Sequence, residues 1–237
     1  MGEVPADGAG DDPEATARCR VNGPEPVIID GCCCAGGAGF GYAKAGFRPI
    51  GIDHVAQPNY PFEFHQADIL EVLTAVVDGR KPWPGAPHPA AIHVSPTCQT
   101  FARVTAWRGS RDDHPDLLTP TLEILSRTTI PWVVENVPEA CPPLRPDYLL
   151  CGTQFGLPVR RHRAFMRGNW SAYELMPPCQ CHRNPRLLPF MHKGERAFAD
   201  AMGCTWMSNK EGRQAVPPAY TEFIGAQMLG AMKELAA

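Results

Sequence analysis

Short apolar runs of strand length alternate along the chain with segments whose apolar residues recur at helical spacing. The run PVIID (26–30) meets a Gly-rich turn, GCCCAGGAG, which opens into FGYAKAGF, so the pattern predicts a strand, a tight turn and a helix. A second run, PIGID, ends at Asp53, and QADILEVL carries Asp68 at the edge of another helical pattern. After the Pro-rich loop KPWPGAPHP, the strand pattern AAIHVS stops at SPTCQ, the helical pattern LTPTLEIL follows, and IPWVVENV reads as a further strand. Strands alternating with helices predict an α/β fold, a Rossmann-like and mostly parallel sheet with helices on both faces. Ligands collect at the carboxyl ends of the strands in such sheets, and those ends carry Gly36, Asp53, Asp68, Cys98 and Glu135.

The rest of the chain divides by composition. Residues 1–24 are acidic and rich in Gly, Pro and Ala, without the basic flank or apolar stretch of a secretory signal, and read as a disordered tail. A main domain over 25–168 is followed by a small irregular region, 169–209, rich in Pro, Cys and charge. A C-terminal segment, 210–237, contains the helix-like YTEFIGAQMLGAMKEL and is expected to return to the main domain. No run approaches the ~20 apolar residues that a membrane span needs, so no membrane partner is expected. Ten cysteines, three of them consecutive (Cys32, Cys33, Cys34), suit reduced thiols in a cytoplasm better than a disulfide framework. The net charge of −3 gives no bulk attraction to nucleic acid. A nucleic-acid partner would have to meet a local basic patch, for which Arg160, Arg161, Arg163, Arg167, Arg183 and Arg186 are the candidates.

Several residues suggest chemistry. A Gly-rich turn between strand and helix lets backbone approach a ligand, and an acid ending the next strand can accept hydrogen bonds from two ribose hydroxyls. Gly36, Gly37 and Asp53 thus suit a nucleoside-bearing cofactor, while a plain turn and a helix-capping acid account equally for this segment alone. Cys98, in a loop off a strand and close behind Pro96, is a candidate nucleophile, although most cysteines are small buried hydrophobes. Glu135, behind four largely apolar residues, is expected to be partly desolvated, which raises a carboxyl pKa. Arg161 and Arg163 alternate and would point to one side of an extended segment, offering planar donors to a carboxylate, a carbonyl or a phosphate.

Taken in order, DGCCCAGGAGFGYAKAGF, SPTCQTFA, WVVENVPEA, FGLPVRRHRAF and RQAVPPAYTEFIG resemble the ordered motifs of DNA cytosine-C5 methyltransferases, in a short form similar to phage-encoded ones. The resemblance covers about residues 26–168 and 202–230. It implies the class I S-adenosylmethionine-dependent fold, with residues 169–209 as a small target-recognition region, and transfer of a methyl group to C5 of a flipped-out cytosine in double-stranded DNA. It assigns Cys98 as nucleophile and Glu135, Arg161 and Arg163 as its catalytic partners. It gives S-adenosylmethionine the residues Asp30, Cys32, Ala35, Gly36, Gly37, Asp53, His54, Asp68, Ile69, Ser95, Gln214 and Val216. It gives the base Pro96, Gln99, Asn136 and Val137, and the DNA backbone Arg103, Arg160, Arg183 and Arg186. A monomer in the cytoplasm of a bacterial host, phage-encoded or serving restriction–modification, is the expected setting.

The sequence departs from the family pattern at several positions. Cys34 stands where Gly is usual, Cys32 where an aromatic is usual, Thr97 in place of a second Pro, Val159 in place of Gln, and Gln214 in place of Asn. These changes leave open a modified donor such as a carboxylated S-adenosylmethionine, with cytosine modification in RNA and a catalytically silent DNA-binding relative as further alternatives. Cys179, Cys181 and His182, with His192 or Cys204 nearby, are candidate ligands of a small zinc site.

Overall fold

The computed structural model describes residues 24–97, 116–171, 174, 176–183 and 197–236. Seven strands form one sheet: β1 (Val27–Gly31), β2 (Arg48–Asp53), β3 (Glu63–Gln66), β4 (Ala91–Val94), β5 (Trp132–Asn136), β6 (Tyr148–Leu150) and β7 (Arg163–Gly168). Their spatial order is β3-β2-β1-β4-β5-β7-β6. The pairs from β3 through β5 are parallel, whereas β7 runs antiparallel to both β5 and β6. The helices are α1 (Gly37–Ala45), α2 (Ile69–Val77), α3 (Leu118–Leu125), α4 (Ala197–Ala201), α5 (Asn209–Gln214) and α6 (Pro218–Ala236).

Successive residues of the central strands enter different cores, as the pleat requires. Ile29, Ile92 and Val134 pack with Leu73 and Val76 of α2 and with Leu118 and Leu125 of α3. Their neighbours Ile28, Ala91 and Val133 pack with Tyr42 of α1 and with Tyr220, Ile224 and Met228 of α6. The sheet is therefore buried on both faces, which explains why its strands read as continuous apolar runs rather than as alternation. A third cluster joins α4 and the turn after it, through Phe198, Met202 and Met207, to Ala35 of the Gly-rich turn and to Val159 and Ala215.

Local chemistry sets the helix ends. Gly46, at φ 108°, closes α1 in the left-handed conformation. Asp68 opens α2 by accepting the backbone N–H groups of Leu70 and Glu71. Ser208 and Glu211 form a reciprocal capping box at the start of α5. The parallel strands advance outward in opposite directions from β1 and β4, so the order reverses between them and opens a crevice at their carboxyl ends. The result is an α/β architecture, Rossmann-like and mostly parallel, with β7 inserted antiparallel. Among the described residues no helix is long and apolar enough to cross a membrane.

Candidate catalytic site at the carboxyl edge of the sheet

The Gly-rich turn leaves β1 directly over the crevice. Cys32 (φ 55°), Cys34 (φ 46°) and Gly36 (φ 82°) all adopt left-handed backbone, and only the last is a residue for which that is easy. The turn is tied down from two sides. Cys34 N–H donates to Asp53 Oδ2 at 3.0 Å, and Val55 N–H donates to Oδ1 of the same carboxylate at 3.1 Å. From the far end of the chain, Trp206 Nε1 donates to Ala35 O at 2.8 Å, while Val216 O lies so near Gly37 that a Cβ there would meet it at 2.3 Å. Asp53 is 6% exposed at the end of β2, and each oxygen keeps lone-pair capacity beyond its one backbone donor. His54, beside it, is largely exposed, with Nδ1 3.3 Å from Asp53 Oδ1.

Asp30 occupies a different place from the other cofactor candidates. It is fully buried beneath α1, where Tyr60 OH donates to its Oδ2 at 3.1 Å. Burial pushes its carboxyl up to about 7 against the opposing hydrogen bonds from Tyr60 and the Gly39 backbone. Burial likewise raises the Cys32 and Cys33 thiols, so both are neutral packing groups here. Asp68 spends one oxygen on the α2 cap, with Leu70 N–H at 2.7 Å, and Ile69 is buried against Gly31, where a Cβ would come within 2.5 Å of it. Gln214 is exposed at the end of α5, and Val216 is buried.

Across the crevice, β4 exits through Ser95 and Pro96 toward Cys98. Asn136, 1% exposed at the end of β5, donates from Nδ2 to Pro96 O at 3.1 Å and accepts Val137 N–H at 2.8 Å. It thereby fixes the exit of one strand to the end of the next. Glu135, 5% exposed, lies beside it with Arg163 Nε 2.8 Å from Oε1, an ion-pair contact without the alignment of a hydrogen bond. Burial raises the Glu135 carboxyl above its ordinary range, while Arg163, a hydrogen bond from Ser95 and Arg161 act in the opposite sense. Behind Ser95 stands a buried pair that the sequence did not single out. His93 Nε2 meets Ser95 Oγ at 2.9 Å and His93 Nδ1 meets Tyr42 OH at 3.1 Å. Burial lowers His93 to about 3, so the ring is neutral and Glu135 is backed by a chain of neutral hydrogen-bonding groups. A histidine within the apolar run AAIHVS was the one sequence signal for it.

The two arginines separate. Arg163, on β7, turns to Glu135 and also donates from Nη1 to His162 O at 2.8 Å. Arg161, just before β7 and 2% exposed, donates from Nη2 to Arg213 O at 2.8 Å, with its guanidinium 5.5 Å from the centre of the Phe198 ring. The expectation of one shared side is corrected: the chain is not yet in strand geometry at Arg161, whose side chain packs against the C-terminal segment and acts on Glu135 only at a distance. The expected basic patch also shrinks. Arg161 is buried, Arg163 is paired inward, and Arg167 faces Asp147 at 3.5 Å, which leaves Arg160 exposed, with one bond to Cys181 O at 3.3 Å. Arg183 ends a short 3-10 turn, Cys181–Arg183. Cys98, Gln99, Arg103, Arg186 and His192 lie outside the described residues.

The candidate zinc ligands are also rearranged. Cys179 and Cys181 do come together, but with Cys151 and His162, which the sequence reading passed over. His182 points outward and exposed, and Cys204 is buried in the α4 cluster.

Comparison of the sequence with family models and with curated proteins gives no match. Among solved structures, the chain is similar to an E. coli protein provisionally assigned as a prophage-encoded DNA modification methyltransferase, at 19% identity over 61% of this chain and 46% of that one, TM-score 0.43. It is similar to the Entamoeba histolytica methyltransferase EhMeth, at 14% identity over 72% of this chain and 56% of that one, TM-score 0.43. It is also similar to the S. pombe Dnmt2 methyltransferase, at 14% identity over 76% of this chain and 66% of that one, TM-score 0.41. The chain thus matches between about half and two thirds of the length of these structures.

Proposed function

We propose that the chain transfers a methyl group from S-adenosylmethionine to C5 of a cytosine flipped out of duplex DNA, through a covalent bond between Cys98 and C6 of the base. The observation that carries this reading is the buried Glu135–Arg163 pair next to Asn136, which ties down the strand exit that leads to Cys98. A carboxyl held above its ordinary range beside a guanidinium suits a pyrimidine, whose N3 and exocyclic amine face the acid and whose carbonyl oxygen faces the arginine.

The Gly-rich turn suits a nucleoside-bearing methyl donor on its own terms: Gly36 and Gly37 let it pack tightly between Tyr60 and Val216, where a Cβ would clash, and Asp53 has acceptor capacity for ribose hydroxyls. When bound, the donor supplies an electrophilic methyl group. Cytosine C5 is too weak a nucleophile to take it unaided, so the Cys98 thiolate adds at C6 and makes C5 an enamine carbon. Glu135 stabilises the charge that builds at N3, by hydrogen bond or proton, and Arg163 holds the carbonyl oxygen. Arg161 braces the strand that carries Arg163. Loss of the C5 proton after transfer returns the electron pair that expels the Cys98 thiolate. A stacked base is out of reach of such a site, so extrusion from the duplex is required, at a cost of a few kcal/mol.

The test is covalent trapping on duplex DNA containing 5-fluorocytosine, where the fluorine cannot leave as the proton does. Incubation with S-adenosylmethionine is expected to give a protein–DNA adduct on a denaturing gel that is absent in Cys98→Ser. No adduct with DNA but one with transfer RNA moves the substrate to RNA, and no adduct with either overturns the covalent mechanism.

A further inference from the structure

Three separate stretches of chain bring sulfur and imidazole donors to one point beside the end of β6 and the start of β7. Cys151 follows β6, His162 precedes β7, and Cys179 and Cys181 belong to the irregular segment beyond the sheet. Their ligand atoms all lie within 4.8 Å of one another. Cys179 Sγ and Cys181 Sγ are 3.8 Å apart, and His162 Nε2 is 3.2 Å from the first and 3.6 Å from the second. A tetrahedral zinc ion with Zn–S near 2.3 Å and Zn–N near 2.0 Å sets about 3.8 Å between two sulfurs and about 3.5 Å between sulfur and nitrogen. The sulfur–sulfur edge matches the first value, and the two sulfur–nitrogen edges fall on either side of the second. One ring N–H cannot aim at two sulfurs at once, whereas a metal on Nε2 accounts for both approaches.

We propose that Cys151, His162, Cys179 and Cys181 bind a structural zinc ion. Three thiolates and an imidazole select a soft, tetrahedral metal, and four protein ligands leave no open position for catalysis. The surroundings support the donor set. Gln154 accepts Cys151 N–H through Oε1 at 2.6 Å and donates from Nε2 to Pro177 O at 2.5 Å, and Arg160 donates to Cys181 O at 3.3 Å. Hydrogen bonds thus already bridge the same segments that the metal closes. Residues 176–183 contain only one three-residue turn and little buried apolar surface, so a metal supplies what a core cannot. His162 stands between Arg161 and Arg163, so the same ion anchors the stretch that presents both arginines.

The inference stands apart from the proposed reaction, because its readout is metal content rather than activity. The full chain, purified without chelator, is analysed for metals by inductively coupled plasma mass spectrometry, and a cobalt-substituted sample is examined by absorption. Stoichiometric zinc is expected, with thiolate-to-cobalt charge transfer and strong tetrahedral ligand-field bands in the cobalt form. The double variant Cys179→Ser/Cys181→Ser is expected to lose most of its zinc, whereas His182→Ala and Cys204→Ser keep it. Wild-type protein with far less than stoichiometric metal, a disulfide among these cysteines, or full zinc in the double variant would overturn the site. If the double variant does not accumulate as folded protein, the cobalt spectrum of the wild type decides: no thiolate charge transfer rejects the proposal.

Discussion

Asp30 shows how one side chain can carry the pH dependence of the fold. Its carboxyl is enclosed by α1 and Tyr60 and holds its proton up to about 7, against 3.8 for an ordinary aspartate. The folded state binds that proton more tightly than the unfolded chain does, so the contribution is fully present below about 3.8 and is lost as pH rises through 7. Asp30→Asn keeps an acceptor for Tyr60 and has no proton to lose. The expected outcome is that wild-type stability falls relative to the variant between those pH values, by a few kcal/mol at most, since each tenfold in proton affinity is worth about 1.4 kcal/mol. Urea titrations of both proteins at acid and at neutral pH check this; parallel curves would contradict it. The placement of Asp30 was not legible in the sequence, because an acid at a strand end reads the same whether it faces a ligand or the underside of a helix. Asp53 does end its strand as the run PIGID suggests, and there it accepts the backbone N–H of Cys34 from the adjoining Gly-rich turn.

At the scale of elements, α1 and α6 meet at contact distance. A Cβ on Gly41 would lie 2.1 Å from both Pro218 O and Thr221 Oγ1, and Thr221 already donates to Ala38 O at 2.8 Å. Gly41→Ala is expected to force the helices apart and cost roughly 1–3 kcal/mol, as overpacking of a tight interface does. Thermal denaturation followed by circular dichroism measures it, and an unchanged midpoint would mean that α6 shifts freely. The parallel strands were legible because burial on both faces makes them continuous apolar runs. The β6–β7 end of the sheet was not. Tyr148–Leu150 is only three residues long, and β7 carries Arg163 and Arg167 among its apolar positions. Cys151 and His162 escaped notice for the same reason: ligands from different elements have no spacing rule, and the adjacent His182 imitated one.

For the molecule as a whole, α6 shares with α1 the covering of one face of the central strands. Tyr220, Ile224 and Met228 are fully buried against Ile28, Ala91, Val133 and Phe165. At about 1.5–3 kcal/mol for each large apolar side chain buried, those three account for roughly 5–9 kcal/mol, comparable to the 5–15 kcal/mol total of a typical domain. A chain ending before Pro218 is therefore expected to show no cooperative thermal transition, and a sharp melt by calorimetry would refute that. The long reach of these contacts explains why the sheet was predictable and the site only in part. Strands are written locally, while Trp206 on Ala35 and Thr221 on Ala38 join positions 171 and 183 residues apart.

That separation also orders events in time. The Gly-rich turn is among the first described segments to be synthesised, yet its carbonyl at Ala35 waits for Trp206 and its helix start at Gly37 waits for Val216. A growing chain can lay down β1 through β5 and still hold the turn open on its C-terminal side. The turn closes only when residues near 216 have cleared the ribosome, so the Gly-rich turn is completed last, after the sheet that supports it.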